Sequence, residues 1–163
     1  MNYNQIRKMD ISNGPGVRVS LFFQGCHFHC EDCFNSETWD FNKGKPFTDE
    51  VIDTIIDLAN HEYIEGLSIL GGEPMHPLNV EGTIKLAKKF KEKYPNKNIW
   101  VWSGYKFEDL PNKDVLNYID VLVDGQFITE LHNFTLKWKG SSNQRVIDVK
   151  ETLKENQIVI IED

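Results

Sequence analysis

Residues 25–39 read GCHFHCEDCFNSETW, and this stretch holds all three cysteines of the chain, Cys26, Cys30 and Cys33. Three residues separate the first two cysteines and two separate the second pair. An extended chain advances about 3.3–3.6 Å per residue. The arc is therefore long enough to curl around one compact object and too short to bridge distant parts of a fold. Thiolates are the usual ligands of iron–sulfur clusters, and a [4Fe–4S] cube ordinarily takes four of them. This arc supplies three, which leaves one iron without a protein ligand. The rival is a structural zinc completed by His27 or His29, although such sites usually draw on two separated ligand pairs.

Upstream, Asn13-Gly14-Pro15-Gly16 is a strong turn signal. It leads into residues 17–23, where Val17, Val19 and Leu21 alternate with Arg18 and Ser20 as in a strand with one covered face. That strand delivers the cysteines at its C-terminal end, where open α/β sheets and barrels bind ligands. Downstream, Gly44 and Pro46 mark a break, and Thr48 caps a helix expected to run to about residue 60. Val51, Ile52, Ile55, Ile56 and Ala59 form its core stripe. Residues 66–70 read as a short buried strand and run directly into Gly71-Gly72-Glu73-Pro74. A second helix is predicted from near Asn79 to Tyr94, with Pro95 ending it and a lysine-rich solvated face. Three further strands are expected at 99–102, 121–123 and 146–149, with a β-like segment at 157–161 and a short helix at 113–118. The first two of those strands end in Ser103-Gly104-Tyr105 and Asp124-Gly125.

Alternating strands and helices argue for an α/β fold with a mainly parallel sheet, its glycine-rich and polar turns gathered on one rim. At 163 residues, 40% hydrophobic and 26% charged, the chain reads as one domain spanning 1–163 with an ordinary soluble composition. A net charge of −7 gives no basic footprint for nucleic acid. No apolar run approaches the roughly 18 residues of a membrane span, and the opening MNYNQIRKMD lacks the apolar core of a signal peptide. A cytoplasmic protein with no nucleic-acid or membrane partner is expected.

CxxxCxxC after a first strand and GGEP after a second resemble the radical S-adenosylmethionine superfamily. Further segments narrow the resemblance to the activating proteins of anaerobic ribonucleoside-triphosphate reductases: GPGVR at 14–18, LFFQGC at 21–26, SETW at 36–39, WSGY at 102–105, VLVDGQF at 121–127 and GSSNQR at 140–145. They span nearly the whole chain. Asp32 stands where many relatives carry an aromatic residue, and Asn13 where many carry Asp.

The resemblance implies an incomplete (βα) barrel of the radical SAM type and one [4Fe–4S] cluster held by Cys26, Cys30 and Cys33. It implies reductive cleavage of S-adenosylmethionine to methionine and a 5′-deoxyadenosyl radical, and formation of a glycyl radical on the large reductase subunit. The electron donor would be a protein such as a flavodoxin. Gly71 and Gly72 would let backbone approach the S-adenosylmethionine ammonium group, with Glu73 nearby. Backbone around Asp32 and Phe34 is the candidate for adenine, and Ser103 for ribose. His27 and His29 would lie near sulfur, where hydrogen bonds tune the potential. Arg18 is a candidate for a substrate carboxylate or a structural donor, and Asp124 for a cation, a ligand or a turn cap. Alternatives in other classes are an activase of another glycyl-radical enzyme, such as a formate lyase, and a non-catalytic zinc or iron–sulfur module.

Overall fold

A computed structural model describes residues 1–33 and 35–161. One mixed sheet of seven strands runs in the order β3-β1-β2-β4-β5-β6-β7. Its centre is parallel: β2 (Val17–Gln24), β4 (Ile64–Gly71), β5 (Asn98–Ser103) and β6 (Val121–Asp124). The edges are antiparallel. β1 (Asn2–Asp10) pairs with β2, β3 (Lys45–Pro46) with β1, and β7 (Arg145–Asp148) with β6.

The period-two side-chain alternation of a strand sorts residues onto two faces. Val19, Leu21 and Phe23 of β2, Leu67 and Ile69 of β4, Ile99 and Val101 of β5 and Leu122 of β6 join one core cluster. That cluster is closed by Ile52 and Ile55 of α1 (Asp49–Leu58), by Leu86, Ala87 and Phe90 of α2 (Val80–Lys93), and by Val149 at the start of α3 (Val149–Glu155). Parallel neighbours require crossovers, and α1 and α2 are those of β2 to β4 and β4 to β5. The next crossover holds only 3₁₀ turns, Phe107–Asp109 and Lys113–Asn117. As expected, the Thr48 hydroxyl accepts from Val51 N and caps α1.

The opposite face carries Arg18, Ser20 and Phe22, then Ser68 and Leu70, then Trp100 and Trp102, then Val121 and Val123. Trp100, Val121, Val123 and Val146 form a second, smaller cluster with Trp102, Trp138 and Ile161 packed against it. Deep on this face Arg18 is fully buried and donates to Ser68 Oγ (2.7 Å), Leu67 O (2.9 Å) and Pro15 O (3.1 Å). It ties the GPG turn to β4, so its role is the structural one. Burial pulls its pKa down to about 10 against the pull of Glu65, Asp120 and Asp10.

Three features depart from the sequence reading. β1 was not foreseen, since NYNQIRKMD is polar and lacks a clean alternation. α3 begins at Val149, expected to end a strand, and runs through residues for which no element was expected, with the Asp148 side chain accepting from Glu151 N as its cap. The 157–161 segment forms no full strand and meets β7 through the isolated bridge Ile147↔Ile160 and the bonds from Asp148 N to Val159 O (2.9 Å) and from Ile161 N to Val146 O (2.8 Å).

Candidate functional site

The C-terminal ends of the four parallel strands meet at one rim. Just past β2, Gly25 adopts φ 108° and the cysteine loop closes on itself, with Cys26 N donating to Trp39 O at 3.0 Å and Cys33 N to Cys30 O at 3.1 Å. The turn after β4 is bonded to the entry of this loop: Gly72 N donates to Phe23 O (2.9 Å) and Glu73 N to Gly25 O (2.7 Å). A Cβ at Gly72 would lie 2.4 Å from Gly25 O, and one at Gly71, where φ is +113°, 2.5 Å from the Phe23 backbone. Only glycine permits this approach. Asn79 binds the same two segments, its amide donating to Glu73 O (3.1 Å) and Gln24 O (3.3 Å). Its side chain makes no cap bond to α2.

Glu73 is 1% exposed. Its carboxylate accepts from Gly104 N (2.6 Å), Ser103 Oγ (2.7 Å) and Met75 N (2.8 Å), so it fastens the turn after β4 to the turn after β5. Burial pushes its pKa up to about 7, against these three donors. The Ser103 hydroxyl is thereby engaged, and its oxygen also accepts from Tyr105 N at 3.0 Å.

The three cysteines, Gly71, Gly72, Glu73, Ser103, Gly104, Gly125 and Trp39 line one cavity of about 540 Å³. Burial pushes the Cys26 thiol up to about 11 and raises that of Cys30. Backbone N–H groups of Phe28 and Phe127 oppose this at Cys26 and Cys30 respectively, and Asn35 N donates to Cys33 Sγ at 3.4 Å. Thiolates in such surroundings call for metal cations to compensate them. Among the described residues no three His, Cys, Asp or Glu side chains converge as a single metal ion would require. Three cysteine sulfurs on one cavity wall, with N–H donors aimed at them, supply the ligand type of an iron–sulfur cluster.

Several expected residues stand elsewhere. Neither His27 nor His29 lines the cavity. His27 Nδ1 is 2.9 Å from His76 Nε2 and packs on Phe41, while His29, at φ 47°, stacks on Trp39. Since His76 Nδ1 accepts from Leu78 N, His76 carries its proton on Nε2 and donates it to His27. Asp32, at φ 56°, is exposed and outside the cavity wall. Phe34 lies outside the described residues. Asp124 is buried and accepts from Phe107 N (2.7 Å) and from Arg145 Nε (3.0 Å) and Nη2 (2.5 Å), so it is structural.

The GSSNQR segment, which carried no chemistry in the sequence, acts as a clip. Gln144 accepts from Gly140 N and donates to Gly125 O, and Asn143 donates to Gln126 O. These bonds close the 126–140 loop, whose Phe127 N reaches the Cys30 sulfur and whose Thr129 hydroxyl donates to Glu31 O (2.9 Å). Glycine, serine, asparagine and glutamine around an Asp–Arg pair are the sequence signal for such a closure.

The family described as "4Fe-4S single cluster domain" matches residues 12–147. The anaerobic ribonucleoside-triphosphate reductase-activating protein of Escherichia coli (strain K12) is 45% identical over 150 residues, covering 90% of this chain and 97% of that protein. The protein of that name from Enterobacteria phage T4 is 44% identical over 149 residues, covering 90% and 93%. That of Vibrio cholerae is 43% identical over 148 residues, covering 88% and 96%. Identity at this level runs from before the cysteine loop to beyond the Asp–Arg pair, and the chain belongs to the family of anaerobic ribonucleoside-triphosphate reductase-activating proteins.

Proposed function

We propose that this protein activates an anaerobic ribonucleoside-triphosphate reductase by generating a glycyl radical on its large subunit. The observation that carries the reading is the shared cavity, on whose wall the three cysteines meet Gly71, Gly72 and Glu73. When bound, a [4Fe–4S] cluster supplies one electron for cleavage of S-adenosylmethionine to methionine and a 5′-deoxyadenosyl radical.

Cys26, Cys30 and Cys33 would hold the cluster through three of its irons and leave one iron without a protein ligand. Gly71 and Gly72 would let main chain come against the ligand's amino-acid end. Glu73 would set the position of that main chain through its bonds to Ser103 and Gly104. Ser103, whose hydroxyl is bonded to Glu73 and Tyr105 N, would border the ribose from the same wall. Trp39, Phe28 and the 126–140 loop shield the cavity from water, which protects a reactive radical from side reactions.

On this reading the parallel centre β2-β4-β5-β6 would be the core of the incomplete (βα) barrel of the radical SAM superfamily, in a single domain over 1–163. The electron comes from a protein donor such as a flavodoxin, in the reducing cytoplasm. No helix among the described residues is long and apolar enough to cross a membrane.

The test is anaerobic reconstitution with iron and sulfide, followed by reduction and addition of S-adenosylmethionine. Release of 5′-deoxyadenosine is expected, and a glycyl-radical signal by electron paramagnetic resonance once reductase is added. A reconstituted protein that yields neither would exclude the function.

A further inference from the structure

The GSSNQR segment is bonded to one short stretch of backbone on both sides of Phe127. Gln144 Nε2 donates to Gly125 O at 2.9 Å and Asn143 Nδ2 to Gln126 O at 2.8 Å, while Ile128 N donates to Ser141 Oγ at 3.2 Å. The segment is also braced within itself. Gln144 Oε1 accepts from Gly140 N (2.8 Å) and Ser141 N (3.2 Å), and the fully buried Ser141 hydroxyl donates to Asn143 Oδ1 (2.6 Å). Phe127, which these bonds bracket, gives its N–H to the Cys30 sulfur.

A further contact fixes the same stretch against the cysteine loop. Thr129 Oγ1 donates to Glu31 O at 2.9 Å, across 98 positions of sequence. Phe127 and Cys30 line the same cavity wall. The N–H groups at the other two sulfurs are local: Phe28 N at Cys26 and Asn35 N at Cys33 (3.4 Å) belong to the cysteine loop itself. Cys30 takes an N–H from a remote segment, and that bond lasts only while the segment is held in place. Side-chain bonds at Gly125, Gln126 and Ile128 remove the backbone freedom that would otherwise carry it away.

Hydrogen bonds to sulfur are among the terms that set an iron–sulfur reduction potential. One-electron reduction adds negative charge to a cluster and its thiolate ligands, and an N–H aimed at a ligand sulfur stabilises that charge. We infer that Ser141, Asn143 and Gln144 are positioning residues for this reduction: they hold the Phe127 N–H on the Cys30 sulfur and so make the bound cluster easier to reduce. The inference rests on the activase reading, which places a cluster on Cys30 and draws one electron from a protein donor. The donor loses the electron that the cluster gains, and the clip sets how strong a reductant that donor must be.

The test is an anaerobic redox titration of the reconstituted protein, without reductase or S-adenosylmethionine, followed by electron paramagnetic resonance. Gln144→Met keeps the length of the side chain and removes its three hydrogen bonds. Asn143→Ala removes the bond to Gln126 O from an exposed position. Each should lower the equilibrium constant for one-electron reduction about threefold to tenfold, a midpoint up to about 59 mV more negative. Ser142→Ala, at the exposed position before Asn143, should leave the midpoint unchanged. Amide exchange over residues 125–129 should quicken in Gln144→Met and Asn143→Ala and not in Ser142→Ala. Midpoints equal to the parent's in both clip variants overturn the inference even where cluster content or melting temperature falls, since a purely structural clip would move those alone. An equal shift in Ser142→Ala overturns it too. If Gln144→Met takes up no cluster, the midpoint of Asn143→Ala decides. A parent that forms no four-iron cluster and releases no 5′-deoxyadenosine removes the activase reading and this inference with it. A parent that does both, with clip variants that keep its midpoint, removes this inference alone.

Discussion

The two faces of the sheet differ in what they use to exclude water. One is closed by helices whose apolar stripes meet Val19, Leu21, Leu67, Ile69, Ile99, Val101 and Leu122, all fully buried. The other is roofed by the GPG turn and the 126–140 loop, and beneath that roof Arg18, Ser20 and Ser68 are buried alongside Phe22, Leu70 and Trp100. Helices fill space densely and leave no room for a ligand. Loops held by clips such as Gln144 and the Asp124–Arg145 pair leave a cavity whose wall is still fixed. The covered face supplies stability, and the roofed face supplies the site.

The comparison can be broken most sharply at the rim. Cys30→Ala should abolish activation, with iron content and visible absorption showing loss of the four-iron cluster; an intact cluster in this variant would refute the ligand assignment. On the covered face, Ile69→Ala should lower unfolding free energy by about 3 kcal/mol, read by chemical denaturation. Leu70→Ala, one residue along on the roofed face, should lose clearly less, because its side chain already borders a cavity. Equal losses would mean that the two faces do not divide labour.

Glu73→Ala strands the donors of Ser103, Gly104 and Met75 and should cost about 2 kcal/mol. The cluster should still form, with S-adenosylmethionine affinity reduced about tenfold by titration; unchanged affinity would show that the clamp does not position the ligand.

The smallest effect concerns the far end of the sheet. Burial works to raise the Asp120 pKa, but Lys91 (2.6 Å), the Ile99 N–H (2.8 Å) and Lys150 (3.0 Å) outweigh it and hold it below the ordinary value. A depressed carboxylate stabilises the fold above its unfolded pKa of about 3.9, and that contribution disappears as pH falls through the lower folded value. Asp120→Asn should therefore remove about 1 kcal/mol at neutral pH and flatten the acid limb of the stability curve below about pH 4. Activation, which depends on the opposite rim, should be untouched.

The parallel centre was legible because each strand announces itself by alternation or a short apolar run and ends in a recognisable turn. The polar edge strand β1 was not, since its pairing depends on β2 beside it and not on its own residues. The same division holds at the site. Cys26, Cys30, Cys33, Gly71 and Gly72 were readable because their chemistry or conformational freedom is scarce and their spacing is local. The engagements of His27 with His76, of Asp124 with Arg145 and of Gln144 with Gly125 were not, because each joins segments remote in sequence.

By itself the sequence determined that three thiols would share one arc and that glycines would stand where backbone must pass close by, since both follow from local spacing and side-chain volume. Only the tertiary structure decided what surrounds that arc. It turned Glu73 from a free carboxylate into a clamp between two turns, packed both loop histidines on other rings off the cavity wall, and joined the cysteine end of the cavity to an apolar row flanked by Arg7 and Lys139. These outcomes rest on contacts between strands far apart in the chain, and strand register and burial set them.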